Sequence, residues 1–397
     1  MELSPQQAEA MRAVKAWVKT DKQVFRLFGY AGTGKTSIAK EFANTVGGQV
    51  LYAAFTGKAT MVLQQKGCYP ATTIHKLIYR PSDKCVERLE DLELELMQAE
   101  QADPVDQAFV DNLKDEVLAE SDRIKNPNFK TNPDSDLKTA SLLIIDEVSM
   151  VGKEMAMDLL SYDTKILVLG DPAQLPPVGC AGFFTSKKAD FLLTEIHRQA
   201  AGSPVLAIAD LARKGQTIPV GESGGSRVVP TGKLGIAEVA EFDQIIVGTN
   251  RARKDINRLV RQHLERKTHL PEEGDKLVAL RNNYERGILN GSQWEVLRVE
   301  PVDEDRIWMQ IKGDGFTQIV TAWTHHFEGR EREIRPWDMK LYEHFDFGYA
   351  VTCHKAQGSQ WDNILVIDES RVFRSDSRKW LYTAVTRAAK SVTIVKK

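Results

Sequence analysis

The chain has 397 residues, 42% hydrophobic and 27% charged, which suits two or three soluble globular domains. It has no apolar run of membrane-spanning length, no basic-then-apolar N-terminal signal and no C-x-x-C pair among Cys68, Cys85, Cys180 and Cys353; these absences argue against a membrane protein, a secreted disulfide scaffold or a zinc ribbon and make the cytoplasm the expected compartment. Sixteen acidic and six basic residues fall between Asp83 and Asp136, so a total charge of -2 becomes a surplus of eight positive charges on the remainder, which suits a polyanion groove or an ordinary solvated surface.

In chain order, Ser4-Pro5-Gln6-Gln7 opens a helix, with Ser4 as its cap, Pro5 at the first helical position and Ala8, Met11, Val14 and Trp17 on its apolar face. Gln7 can read an adenine edge or simply sit at the surface. A short apolar strand, Val24 to Phe28, leads into Gly29-Tyr30-Ala31-Gly32-Thr33-Gly34-Lys35-Thr36, followed by a helix from Ser37. This is the spacing G-x-x-x-x-G-K-S/T of a phosphate-cradling loop. Its backbone N–H groups suit a polyphosphate, Lys35 the β and γ oxygens and Thr36 a Mg²⁺ ion, so a nucleoside triphosphate with Mg²⁺ is the expected ligand. A second strand, Val50 to Phe55, feeds Thr56-Gly57-Lys58-Ala59, and Thr72-Thr73-Ile74-His75-Lys76 follows. A Thr at a helix start can hold a nucleic-acid phosphate or serve only as an N-cap.

From about Pro81 to Asp136 the pattern becomes short amphipathic helices rich in carboxylates, read as a surface insertion. Leu142 to Asp146-Glu147 is a buried strand that delivers two acids to the sheet edge expected to carry the phosphate loop, Asp146 for Mg²⁺ and Glu147 for the proton of an attacking water. Ile166 to Asp171 repeats that design and runs into Pro172-Ala173-Gln174-Leu175-Pro176-Pro177, where Gln174 can orient a water beside a γ-phosphate. Arg198 stands alone in its segment. A second α/β pattern follows: strand Gln244 to Gly248, helix Arg253 to Leu264, and strands Asn363 to Asp368 and Ser391 to Val395. Between them, Leu270 to Glu343 alternates like an antiparallel barrel, with turns at Asn290-Gly291 and Gly313-Asp314-Gly315. The polar run Thr352 to Gln360 and a helix from Leu381 to Ala388, carrying Tyr382 and Arg387, close the chain.

Taken in order, these segments resemble superfamily 1B helicases of the RecD-like and phage Dda-like branch, most specifically through Gly170-Asp171-Pro172-Ala173-Gln174-Leu175-Pro176-Pro177-Val178, Thr352 with His354 to Ser359, and Tyr382 to Arg387. The resemblance implies an α/β fold of two RecA-like domains with parallel sheets. Domain 1A would cover 1–80 and 137–192, a helical 1B wedge 81–136, domain 2A 193–268 and 345–397, and an SH3-like β-barrel 2B 269–344. It makes Gln7 the adenine reader, assigns Gly29, Ala31, Gly32, Thr33, Gly34, Lys35, Thr36, Ser37 and Gly358 to the nucleotide, and Thr36 and Asp146 to Mg²⁺. Lys35, Glu147, Gln174, Arg198 and Arg387 become the catalytic set, the two arginines meeting the γ-phosphate. Thr56, Lys58, Thr73, His75, Thr352, His354 and Lys355 fall where the family holds a single strand. The implied activity is ATP-dependent unwinding, 5′ to 3′, by a monomer acting on single-stranded and tailed duplex DNA, with a single-strand-binding protein or a replication or recombination factor as further partner. A strand translocase, an RNA-acting helicase, a motor subunit of a nuclease or repair complex and an ATP-switched clamp are the alternatives. Two departures stand out: Phe55 replaces the usual Pro before Thr-Gly-Lys, and the 1B segment is long and helical, leaving Phe109 and Phe129 as candidates for a strand-separating pin.

Overall fold

A computed structural model describes residues 3–81, 85–100, 106–125, 129–177, 179, 181–195, 202–283, 285–313, 315–334 and 338–396. Three sheets organise it. The first has six strands, all paired in parallel, in the order Ala71–Thr73, Val50–Ala54, Leu142–Asp146, Ile166–Gly170, Val24–Gly29 and Phe191–Leu193. Its central strands are apolar on both faces because helices cover both, and the runs Leu142–Asp146 and Ile166–Gly170 are buried almost throughout. The phosphate loop, Asp146 and Asp171 therefore emerge together at the carboxyl edge of one sheet.

The second sheet also has six strands, in the order Ala350–Thr352, Gln244–Val247, Trp361–Ile367, Ala388–Lys396, Ser226–Pro230 and Gly221–Ser223, parallel except for the last, which folds back as a hairpin edge. The third is a five-stranded antiparallel sheet, Phe316–Trp323, Arg306–Gly313, Gln293–Pro301, Lys276–Ala279 and Phe345–Phe347. Its inward face joins Trp294, Val296, Ile307, Met309, Ile311 and Phe345 to the flank of the second sheet through Val247 and Leu365. The antiparallel strand Phe345–Phe347 begins where the sequence places the end of the insertion, and the chain returns to the parallel sheet only at Ala350.

Between the first sheet's strands, Tyr79–Pro81 and Phe129–Thr131 form a small antiparallel ladder from which two helices project, Cys85–Glu100 and Gln107–Lys125. These are longer than the short helices expected. Leu89, Leu92, Val110 and Leu113 are buried, whereas Leu94, Met97 and Phe109 are exposed. Phe129 starts the second strand of the ladder, opposite Pro81.

Among the described residues no helix is long and apolar enough to cross a membrane.

Candidate active site

The first helix, Pro5–Trp17, begins with a capping box: Ser4 Oγ accepts the Gln7 N–H at 3.2 Å and Gln7 Oε1 accepts the Ser4 N–H at 3.0 Å. Gln7 Nε2 also donates to the Thr33 carbonyl at 3.1 Å, so this buried amide braces the phosphate loop while keeping one N–H and one lone pair unused by these bonds. Gly34, the N-cap of the helix Lys35–Ala43, has φ 81°, and a Cβ there would lie 2.6 Å from Gln7 Nε2. Both facts require glycine. Lys35 Nζ donates to the Gly29 and Tyr30 carbonyls at 2.6 and 3.1 Å, curled back along its own loop.

Thr36 Oγ1 donates to Asp146 Oδ2 at 3.0 Å, and Asp146 Oδ1 accepts the Glu147 N–H at 2.9 Å. Glu147, the residue after the strand Leu142–Asp146, sits in the left-handed region, φ 53° and ψ 44°, a strained backbone for a non-glycine residue. Burial pushes that carboxyl above its ordinary value; the Arg387 guanidinium pulls it down, and Asp146 pushes it further up. Gln174 Oε1 accepts from Ser149 Oγ at 3.3 Å.

Arg387 does not lie on its helix. The helix Ser377–Val385 ends two residues earlier, capped by Thr386, and the turn tucks the guanidinium inward against the Thr383 and Ser359 carbonyls at 3.1 and 3.3 Å. Ala31, Gly32, Gly34, Lys35, Thr36, Ser37, Asp146, Glu147 and Gln174 from the first half, and Gly358 and Arg387 from the second, line one cavity of about 370 Å³. Gly29, Thr33 and Gln7 stand behind it as bracing. Arg198 lies outside the described residues. Ser359, Gln360, Thr386 and Lys66 also line the cavity, although the resemblance gives none of them a role. Only their adjacency to Gly358 and Arg387 marks the first three beforehand.

Among the described residues no three or more His, Cys, Asp or Glu side chains gather as a metal cage. The hydroxyl–carboxylate pair Thr36–Asp146 fits Mg²⁺, which binds through one or two protein oxygens and takes the rest of its shell from phosphate and water.

A second, larger cleft of about 710 Å³ lies nearby, lined by Phe55, Thr56, Thr73, His75, Lys76 and Tyr79 from the first half, His354 and Lys355 from the second, and Asn282, Asn290 and Gly291 from turns of the third sheet. Thr56 and Thr73 are also true N-caps, accepting the Ala59 and Lys76 N–H groups at 3.2 and 3.3 Å. Burial lowers the proton affinity of His75, His354 and Lys355. Two expected members lie elsewhere. Lys58 stands over the Trp361 ring, 4.9 Å from its centroid, and Thr352 Oγ1 accepts the Lys355 N–H at 3.4 Å, so it shapes the loop rather than lining the cleft. Gly358 joins the two sites: its φ is 76°, and a Cβ would approach Thr56 Oγ1 to 3.0 Å.

A family model described as an AAA domain matches residues 2–223, more than half the chain. The chain belongs to that family. A model of the UvrD-like helicase C-terminal domain matches residues 347–395. The ATP-dependent RecD2 DNA helicase of Deinococcus radiodurans is 26% identical over 394 residues, covering 91% of this chain and 45% of the relative. The conjugal transfer protein TraA of Rhizobium radiobacter is 26% identical over 288 residues, 63% of this chain and 24% of its own. The chain thus spans less than half the length of these curated relatives. Among solved structures, a Pif1 helicase studied at forked double-stranded DNA superposes with TM-score 0.54 at 17% identity, covering 99% of this chain and 92% of that one. The Pif1 helicase of Bacteroides with ADP-AlF3 and single-stranded DNA gives 0.52 at 17% identity over 99% and 92%. Both share the pair of RecA-like parallel sheets.

Proposed function

We propose that this chain is the motor of an ATP-dependent DNA helicase that moves on single-stranded DNA, 5′ to 3′ as its superfamily branch suggests, and separates duplex ahead of it. The observation that carries this reading is the pairing of two clefts, each walled by both halves of the chain, with Gly358 packed between them.

In this reading Lys35 leaves the Gly29 and Tyr30 carbonyls to meet β and γ oxygens of ATP. Thr36 and Asp146 would hold Mg²⁺, which would supply positive charge against the phosphates. Glu147 takes the proton of the attacking water, Gln174 orients that water, and Arg387 brings positive charge from the second half to the γ-phosphate, with Arg198 as its assigned companion. Gln7 serves the nucleotide through the loop it braces, and its spare N–H and lone pair suit an adenine edge. Closure and reopening of the first cleft, passed through Gly358 and its neighbours, would alter the grip of Thr56, Thr73, His75, His354 and Lys355 on a strand in the second. The acidic helices Cys85–Glu100 and Gln107–Lys125 would repel nucleic acid, which suits a steric wedge rather than a binding surface.

The test is ATP-driven strand displacement on DNA duplexes with a single-stranded tail at the 5′ or the 3′ end, with a tailed RNA duplex alongside. Displacement of the 5′-tailed DNA is expected. Preference for the 3′ tail would reverse the direction, and hydrolysis without displacement would leave a translocase.

A further inference from the structure

The phosphate loop is gripped from the opposite half by a tyrosine that phosphate binding alone does not call for. Tyr382, on the helix Ser377–Val385, accepts the Ala31 N–H at 2.9 Å on its hydroxyl oxygen and donates its O–H to Asp171 Oδ2. Both Tyr382 and Asp171 are 2% exposed, so this bridge is shielded from water, where a hydrogen bond to a carboxylate counts for more. The neighbouring contacts follow the same plan. Thr383 Oγ1 accepts the Leu175 N–H at 2.9 Å, and Gln357 Nε2 donates to the Leu175 carbonyl at 3.0 Å. The loop carrying Gln174 is therefore tied to the second half at both ends, at Asp171 by Tyr382 and at Leu175 by Thr383 and Gln357. Arg213, also from the second half, lies over the ring of Tyr30 in the phosphate loop, 3.9 Å from its centroid. These bonds join the two halves of the chain and exist only while the halves are together.

We propose that Tyr382 is a positioning residue for ATP hydrolysis: its hydroxyl, bridging Ala31 and Asp171, fixes the phosphate loop and the Gln174 loop to the second half in the closed cleft. This rests on the reading of the cavity as a nucleotide site. A single O–H serves two partners that belong to the first half, one the leading edge of the phosphate loop and the other the base of the water-orienting loop. Loss of that hydroxyl leaves the Ala31 N–H and a buried carboxylate short of a partner only in the closed form, where hydrolysis occurs. An interaction made in the transition state and absent from the open substrate complex lowers kcat and kcat/KM together and leaves KM in place.

Tyr382→Phe keeps the buried ring and removes only the hydroxyl. With an oligothymidylate as the single-stranded DNA, stimulated kcat and kcat/KM for ATP are expected to fall together by about 10- to 100-fold, the range for a hydrogen bond to a charged group, with KM within about threefold of the parent. Asp171→Asn should cause a comparable loss, and the double variant should be no worse than the poorer single one. An unchanged kcat, a raised KM at constant kcat, or losses that multiply in the double variant each overturn the proposal. Thermal melting checks folding, and if Tyr382→Phe does not fold, Asp171→Asn alone is held to the same kcat criterion. A parent chain that hydrolyses no ATP with the oligonucleotide overturns the motor reading and the role of Tyr382 with it, whereas an active parent with an unaffected variant overturns only the latter.

Discussion

Lys35 donates to two carbonyls of its own loop, a resting arrangement that an incoming polyphosphate replaces with stronger, charge-assisted bonds. Lys35→Ala is therefore expected to lower DNA-stimulated hydrolysis by at least about 10²-fold, measured as phosphate release. Glu147→Gln removes the proton acceptor but little volume, and should retain ATP binding in a fluorescent-nucleotide assay while losing multiple turnover; normal turnover would take the base role from Glu147. The strand cleft responds to pH with two opposite signs. Burial holds His75 and His354 below their ordinary value of 6.5, so both are neutral at physiological pH. A depressed folded-state value means that stability is present above 6.5 and declines as pH falls through the folded values, because unfolding then takes up protons. Single-stranded DNA affinity should move the other way, tightening below 6.5 as the rings gain charge beside phosphates, and a joint His75→Gln, His354→Gln variant should flatten that rise in a binding titration. At this scale the phosphate loop was legible because its chemistry is contiguous. The Tyr382 bridge was not, since its partner Ala31 lies 351 positions away and an isolated tyrosine carries no spacing signal.

Helices and strands with a physical signature at their ends were the easiest to read. Ser4, Pro5 and Gln7 mark the start of Pro5–Trp17, and the apolar runs that end in Asp146 and Asp171 mark strands buried on both faces. Other elements carry no such signature. Gly221–Ser223 is an exposed edge strand with no apolar residue, its partner Ser226–Pro230 is only five residues long, and Ala71–Thr73 has three. Such strands are held by their neighbours rather than by their own pattern. The end of the last helix was misplaced because Leu381 to Ala388 has helical composition, whereas Thr386 and Arg387 leave the helix to pack the guanidinium inward. The first helix offers a direct test of how an element end supports a site. Gln7→Ala removes half of the capping box and the bond to Thr33, and is expected to lower the unfolding free energy by about 1–2 kcal/mol in a denaturant titration and to raise the KM for ATP. Unchanged stability would show that the box contributes nothing to the fold.

The molecule as a whole behaves as two walls around shared clefts, with an antiparallel sheet fused to the second wall and a helical pair projecting from the first. The order of motifs implied two parallel-sheet halves, but their mutual contacts depend on three-dimensional closure that no local pattern encodes. Arg387 shows what closure adds. Its guanidinium is buried, held by carbonyls of its own half, and lines the cavity whose other wall carries Lys35 and Glu147. The carbonyl contacts orient the group, and its positive charge, already felt by the Glu147 carboxyl across the cleft, is placed to meet a γ-phosphate gaining negative charge in the transition state. Arg387→Ala should therefore lower single-turnover hydrolysis by about 10³-fold or more, with single-stranded DNA affinity close to that of the parent because Arg387 does not line the larger cleft. Arg387→Lys keeps charge but loses the planar fork that fits the Thr383 and Ser359 carbonyls, and should recover only a small part of the rate. Parental hydrolysis in Arg387→Ala would mean that the second wall supplies no charge to the reaction, and the cleft would then be a hinge without a catalytic partner across it.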